Sequence, residues 1–528
     1  MLSREVYKAL ENVVGPENIT DEPGILDTYA YQWGVEVERA ARGEEPSRFG
    51  CRPEAVVLPS CTSEVQAIVK ICNEHGLRFK AHSTGFGAWG AVSGPRTILL
   101  DLRRMNRIVK IDEKNMYAVI EPYVTNAQLQ AELIKRGLTH HLHGAGPQTS
   151  PLASHTSMCG PGFTSVSTGF SGRNLLAVEW VLPTGDVLRL GSLNFGEEWF
   201  SGDGPGPSLR GVMRGFMGAL GGLGVFTKCA VKLYPWPGPR EWKVGGVAPN
   251  YEFEIPPYWR MYVINYPDWD GLEEAYYRIG EAEVATIAMS TSPEGVATIF
   301  SATRDEAISR VLEYAGKIQK VIVVLVTAHT EREFNYRVKV MREIIRETGG
   351  MDLIEEGVVK VRSASYAEGV RNMWGSAAFR FTSCFQSTHG GMDTTAMALR
   401  IAEVNRPIKL KYIEKELIGD DRGEGIWTTS FEHGHFQHLE VPTVYDPTDP
   451  ESCKGFADYL KECNEADVQH SLGTPFFIIG DELHDWFGSY CNNYQVWLRR
   501  IKRAFDPNDT SDPGHYVSSK GGGRDVAL

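Results

Sequence analysis

Ala81-His-Ser-Thr-Gly-Phe-Gly-Ala-Trp-Gly90 follows Leu77-Arg-Phe-Lys80, a run that reads as a β-strand. The stretch packs three glycines and two hydroxyls into ten residues. Such a turn lets backbone N–H groups converge on one small volume, the kind of nest that holds an anion such as a pyrophosphate. Taken alone it also fits an ordinary surface loop, so its surroundings decide.

Upstream, Pro53-Glu-Ala-Val-Val-Leu-Pro59 reads as a short buried strand. Thr62 or Ser63 is placed to cap a helix with an apolar face of Val65, Ile68, Val69 and Cys72, at i, i+3, i+4, i+7 spacing. Downstream, Thr97–Asp101 and Tyr117–Glu121 are strand candidates, and a second helix starts at Thr125 or Asn126 and stops at Gly137. This is a strand–helix–strand unit with a ligand loop. It is not a Rossmann unit, because no G-x-G-x-x-G opens a helix. Residues 177–190 read as a β-hairpin around Pro183-Thr-Gly-Asp186. Pro235-Trp-Pro-Gly-Pro239 is the clearest linker, after which long helices alternate with separate strands to about residue 490. Thr330–Thr348 is one such helix.

A chain of 528 residues exceeds one ordinary core, so two domains are expected. Net charge −13 without a basic stripe argues against nucleic acid or an anionic membrane as partner. The longest apolar run, Val321–Val326, suits a buried strand and is far too short to span a bilayer. Nine scattered cysteines without a C-x-x-C, and a start without an apolar signal region, lead us to expect a cytoplasmic protein without an in-chain iron–sulfur cluster.

Several stretches in this order resemble the vanillyl-alcohol oxidase and 4-cresol methylhydroxylase (PCMH-type) flavoprotein family: Arg52–Pro59, residues 82–90, Leu100–Ile108, Tyr117–Val124, Thr149–Pro151, Val178–Gly185, Leu223–Lys228, and Asp506-Pro-Asn508 with Pro513-Gly514. The resemblance covers about the first 235 residues and the last 40. It implies an α+β chain in which residues 1–238 and the returning segment 490–528 form an FAD-binding domain, and residues 239–489 an antiparallel-sheet α+β cap. It further implies that Ser83, Thr84, Gly85, Phe86, Gly87 and Ala88 hold the pyrophosphate of FAD, and that Thr149, Ser150, Ser154 and His155 line a second flavin stretch. Gly169, Gly172, Gly224 and Val225 would approach the cofactor by backbone. Gly85 and about Pro147 stand where berberine-bridge relatives carry their covalent His and Cys, which closes those two attachment routes and leaves a cap-domain His or Tyr.

The implied reaction is hydride transfer to flavin N5 from a small hydroxylated organic substrate, an aryl or allylic alcohol. The phenol-oxidising members use a loop Tyr, a Tyr-Arg pair and an acid. Here Trp89 stands at the loop position, and neither Ser471–Pro475 nor Gly144–Pro147 supplies the others, so a para-hydroxyl requirement is not expected. The most site-like cap segment is Phe431-Glu-His-Gly-His-Phe-Gln-His-Leu-Glu440. Its Glu432, His433, His435 and His438 suit general acid–base work, and the cluster also suits a divalent metal, although no metal is assigned. If the run is extended, His433 and His435 share one face and His438 takes the other, unless Gly434 bulges. Arg380, inside an apolar run, either pairs with a substrate carboxylate or phenolate or is an edge-strand charge. Trp374, Phe379, Phe381, Phe476 and Phe477 are candidate pocket walls, and His140, His141 and His143 lie just before the second flavin stretch. The alternatives are a D-2-hydroxy-acid (lactate- or glycolate-type) dehydrogenase, or the FAD-binding subunit of a larger redox complex. The electron acceptor would be oxygen, a cytochrome or an electron-transfer protein, and relatives lead us to expect a homodimer or larger assembly.

Overall fold

The glycine-rich loop leaves the edge of a four-stranded sheet. Its strands run in the order Ile19–Thr20, Ala55–Val57, Thr97–Asp101, Arg78–His82, with the last three mutually parallel. The computed structural model describes residues 2–85, 89–158, 160–191, 209–213, 217–371, 373–377, 387–475 and 478–520. Helix Thr62–Glu74 covers this sheet with its predicted face, and Val65, Ile68, Val69 and Cys72 are all fully buried. Neither Thr62 nor Ser63 caps it. Cys61 occupies the cap position, and the Glu64 carboxylate instead reaches back to accept the Ser60 N–H at 2.7 Å.

A second, six-stranded sheet holds the long strand Val225–Pro235 between Tyr117–Ile120 and Leu175–Val181. The predicted hairpin forms as Leu175–Val181 paired with Val187–Leu190. Helix Asn126–Ile134 starts on Thr125 with a full capping box to Gln128.

The third sheet has eight strands, and all its pairings are antiparallel. The apolar run falls in Lys320–Thr327, between Trp259–Tyr266 and Ile287–Thr291. Its side chains alternate between two cores: Ile322, Val324 and Val326 face one, Val321, Val323 and Leu325 the other. The first core is closed by helices Trp269–Glu281, Glu331–Glu347 and Thr395–Glu414. The second also contains Ile134, Phe163 and Trp236 from the N-terminal part, so this sheet face lies against the elements beside the second sheet.

The end of the chain returns. Helix Tyr494–Phe505 leads to a segment that pairs with the exposed edge of the first sheet: Phe79 N donates to Thr510 O and Asp512 N to Phe79 O, at 2.8 and 2.9 Å. The buried Lys502 holds this turn, donating to Gly222 O, Ser511 O and Asp506 Oδ2 at 2.8, 2.8 and 2.5 Å. Among the described residues, no helix is long and apolar enough to cross a membrane.

Candidate functional site

A cavity of about 1260 Å³ runs between the two N-terminal sheets and the eight-stranded sheet. On one side it is walled by described residues of 81–85, 89–93, 149–158 and 160–161, with Leu220, Gly221, Gly224, Gly514 and His515. On the other side stand Met289, Thr291, Trp374, Trp427 and Glu440.

The glycine loop is closed across its base. His82 Nδ1–H donates to Gly90 O at 3.2 Å, and burial lowers the imidazole's pKa. Gly85 has φ +70°, and a Cβ there would lie 2.7 Å from His82 Nε2. Only glycine meets both conditions. Ser83 and Ser150 both donate to Pro122 O, at 2.5 and 2.7 Å. These hydroxyls therefore pin the two loops together, leaving anion contacts to the backbone N–H groups.

The second stretch is braced by neutral imidazoles. His143 Nε2 contacts Thr149 Oγ1 and Asn126 Nδ2, and His155 Nδ1 contacts Ser171 Oγ. His141 spans Thr168 Oγ1 and Gly160 O at 2.8 and 2.7 Å. Burial pushes the pKa of His140 down to about 3 and of His141 to about 4, and holds His143 and His155 well below the usual range.

On the cap side, Trp427 pairs in register with Glu440, and Thr429 with His438, so all four share one sheet face. His438 Nε2 lies 2.8 Å from Glu440 Oε1. The buried imidazole thus orients a carboxylate that borders the cavity. Phe163 stands edge-on to both Trp374 and Trp427, at 5.7 and 6.2 Å between centroids. Thr429 Oγ1 donates to Gly162 O at 2.9 Å, tying the cap sheet to the second stretch.

The structure divides the sequence candidates. Ser83, Thr84, Gly85, Thr149, Ser150, Ser154 and Gly224 line the cavity. His155, Gly169, Gly172 and Val225 stand behind the wall: Val225 is core, and Gly169 ends the short helix Ser165–Thr168. Phe86, Gly87, Ala88, Arg380, Phe379, Phe381, Phe476 and Phe477 lie outside the described residues.

The run 431–440 is not continuously extended. Strands Trp427–Phe431 and Phe436–Thr443 are joined by a tight turn in which Glu432, His433 and Gly434 have φ of 51°, 58° and 83°. Its side chains face solvent. Glu432 pairs with Arg173 at 2.8 Å, His433 with Glu283 at 3.0 Å, and His435 lies 3.8 Å from Glu281. Only His438 of this group reaches the cavity side, beside Glu440. Among the described residues, no group of three or more His, Cys, Asp or Glu is placed to hold a metal ion. Sequence reasoning did not single out Glu440 as catalytic, nor Trp427, Met289 or His515 as walls. The period-two alternation of His438 and Glu440 was the available signal.

Residues 53–191 match a family described as FAD binding domain. The 4-cresol dehydrogenase [hydroxylating] flavoprotein subunit of Pseudomonas putida is 33% identical over 44% of this chain and 43% of its own length. A glycolate oxidase subunit of Bacillus subtilis is 26% identical over 45% of this chain and 46% of its own. The chain thus spans just under half the length of these curated relatives. A crystal structure of p-cresol methylhydroxylase with substrate bound has the same fold, with TM-score 0.75 and 18% identity over 98% of both chains. FAD is the cofactor of this domain, and the cavity fits it. Its volume exceeds the roughly 300–1,000 Å³ of common ligand pockets. The described lining residues of 81–93 and 149–161 include no carboxylate to repel a diphosphate, and the facing wall sets Trp374 and Trp427 beside Glu440.

Proposed function

Because this chain belongs to the PCMH-type FAD-binding flavoproteins, we propose that it is an oxidoreductase that oxidises the CH–OH group of a small aryl or allylic alcohol. One observation carries the reading: the His438–Glu440 pair sits on the same cap-sheet face as Trp427, across the cavity from the flavin stretches. FAD, when bound, supplies the hydride acceptor. The chain's own part is to seat the substrate, exclude water and take the hydroxyl proton.

Met289, Phe163, Trp374 and Trp427 give the substrate an apolar, planar seat. The Glu440 carboxylate is the base for the hydroxyl proton, and His438 Nε2–H fixes its orientation. Loss of that proton raises electron density on the oxygen and helps the carbon release its hydride. His433, His435 and Glu432 have no part in this account, because their turn faces solvent. Arg380 is not assigned a role.

A 2-hydroxy acid is the second reading, favoured by the glycolate oxidase subunit among the relatives. Its carboxylate needs a cation, and of the described cap-sheet residues on the wall His389 is the candidate, already engaged by Asp467 at 3.2 Å. That both relatives are named as subunits supports a redox partner as electron acceptor. The discriminating experiment is anaerobic mixing of the holoprotein with benzyl alcohol, cinnamyl alcohol, D-lactate and glycolate. We expect the first two to bleach the oxidised flavin absorbance. Bleaching by the hydroxy acids alone would establish the second reading.

A further inference from the structure

The Asp512-Pro-Gly-His515 turn has no role in the reaction above, yet its last residue lines the cavity. His515 is 8% exposed. Its Nδ1 lies 2.7 Å from Nζ of Lys80, a side chain only 1% exposed at the base of the glycine loop. Lys80 is held in turn by Asp512, with Nζ 3.7 Å from Oδ2. Asp512 also accepts the Ser93 N–H at 2.8 Å and the Ser93 hydroxyl. Glycine loop, Ser93 and C-terminal turn therefore meet at one buried cluster.

Paired with the Asp512 carboxylate, Lys80 is an ammonium, which can only donate, so Nδ1 of His515 must accept. The ring proton of the neutral imidazole then sits on Nε2. With Nδ1 engaged, Nε2 is the ring's remaining polar atom on the cavity wall. We propose that His515 Nε2–H is a hydrogen-bond donor to an acceptor atom of bound FAD, with Lys80 as the positioning residue that fixes the ring's tautomer and orientation. The C-terminal turn would then serve as part of the cofactor wall, beyond bracing the first sheet. A neutral donor suits this place: Lys80 already supplies the positive charge, and Asp512 offsets it.

Two amides separate this role from a structural one. Glutamine presents its amide nitrogen near the Nε2 position, whereas asparagine places its amide near Nδ1. The protein and its His515→Gln, His515→Asn and His515→Ala variants would be made under flavin limitation and titrated with FAD. Bound flavin per chain is read by absorbance after gel filtration, a measure that holds for tethered and untethered cofactor alike. Far-UV circular dichroism and the melting temperature of each flavin-free variant control for folding. We expect His515→Gln to retain FAD affinity within about threefold, and His515→Asn and His515→Ala to lose about tenfold, the scale of one hydrogen bond. Affinity restored by asparagine and not by glutamine would mean that His515 serves only as a partner for Lys80. Parental affinity in all three, or a loss matched by a fall in the flavin-free melting temperature, would also overturn the proposal.

Discussion

The indole of Trp427 lies so close to the backbone of Gly144 that a Cβ on Gly144 would stand 2.8 Å from its Cη2 and Cζ2 atoms. Trp427 belongs to the cap sheet and Gly144 to the approach of the second flavin stretch. The contact therefore sets the spacing between the cap-sheet wall of the cavity and the wall that faces it.

Gly144→Ala pushes the two walls apart. We expect it to slow flavin reduction by substrate at least tenfold, since misplacement on the ångström scale is costly to a positioned reaction, while FAD content stays at one per chain. Trp427→Phe in the same chain shortens the opposing ring and should recover part of the loss. A double-mutant cycle with no coupling between the two sites would contradict the contact.

His433→Ala and His435→Ala should each leave the rate of flavin reduction within twofold of the parent. Both rings are more than half exposed on the turn and pair with surface carboxylates. A tenfold loss in either variant would return the turn to the active site.

Acid should destabilise the protein through its buried imidazoles. The folded-state pKa values of His140 and His141 are depressed to about 3 and about 4, so below about pH 6.5 the unfolded chain binds protons that the folded chain does not. Stability is full above that pH and falls by about 1.4 kcal/mol per pH unit per group until the folded pKa is reached. His141→Gln should flatten the slope of unfolding free energy against pH between about 6.5 and 4 by one proton. An unchanged slope would mean that His141 is already charged in the folded state.

Asp506→Ala removes the nearer carboxylate from the fully buried Lys502, leaving Asp509 at 3.8 Å, and takes away the acceptor for the Thr510 and Ser511 N–H groups. Removing one partner of a buried ion pair costs up to about 3–5 kcal/mol. Denaturant unfolding should show this loss, together with loosening of the C-terminal segment in hydrogen exchange.

The sequence made the N-terminal unit legible because its signals are local: the apolar spacing of helix Thr62–Glu74, the cap at Thr125 or Asn126 and the glycine loop each act over a few residues. The return of the C-terminal segment followed from the family resemblance alone, since its pairing with Phe79 spans more than 400 positions. The histidine run misled because its conformation is set from outside. A Cβ on Gly434 would lie 2.3 Å from Tyr276 O, and one on Gly280 would lie 2.2 Å from His433 C, so the turn packs directly on helix Trp269–Glu281. No local pattern reports that contact. Once the turn is placed, the alternation of the following strand brings His438 and Glu440 to the cavity side together.

Stopped-flow reduction of the flavin by benzyl alcohol, with oxygen excluded, tests the central claim most directly when the protein is compared with its Glu440→Gln variant. General-base catalysis contributes about 10²–10⁴ in rate. The account predicts a loss of at least a hundredfold in the variant, with FAD content and melting temperature unchanged. Equal rates in the two proteins would contradict it, because the proton of the substrate hydroxyl would then go to another group.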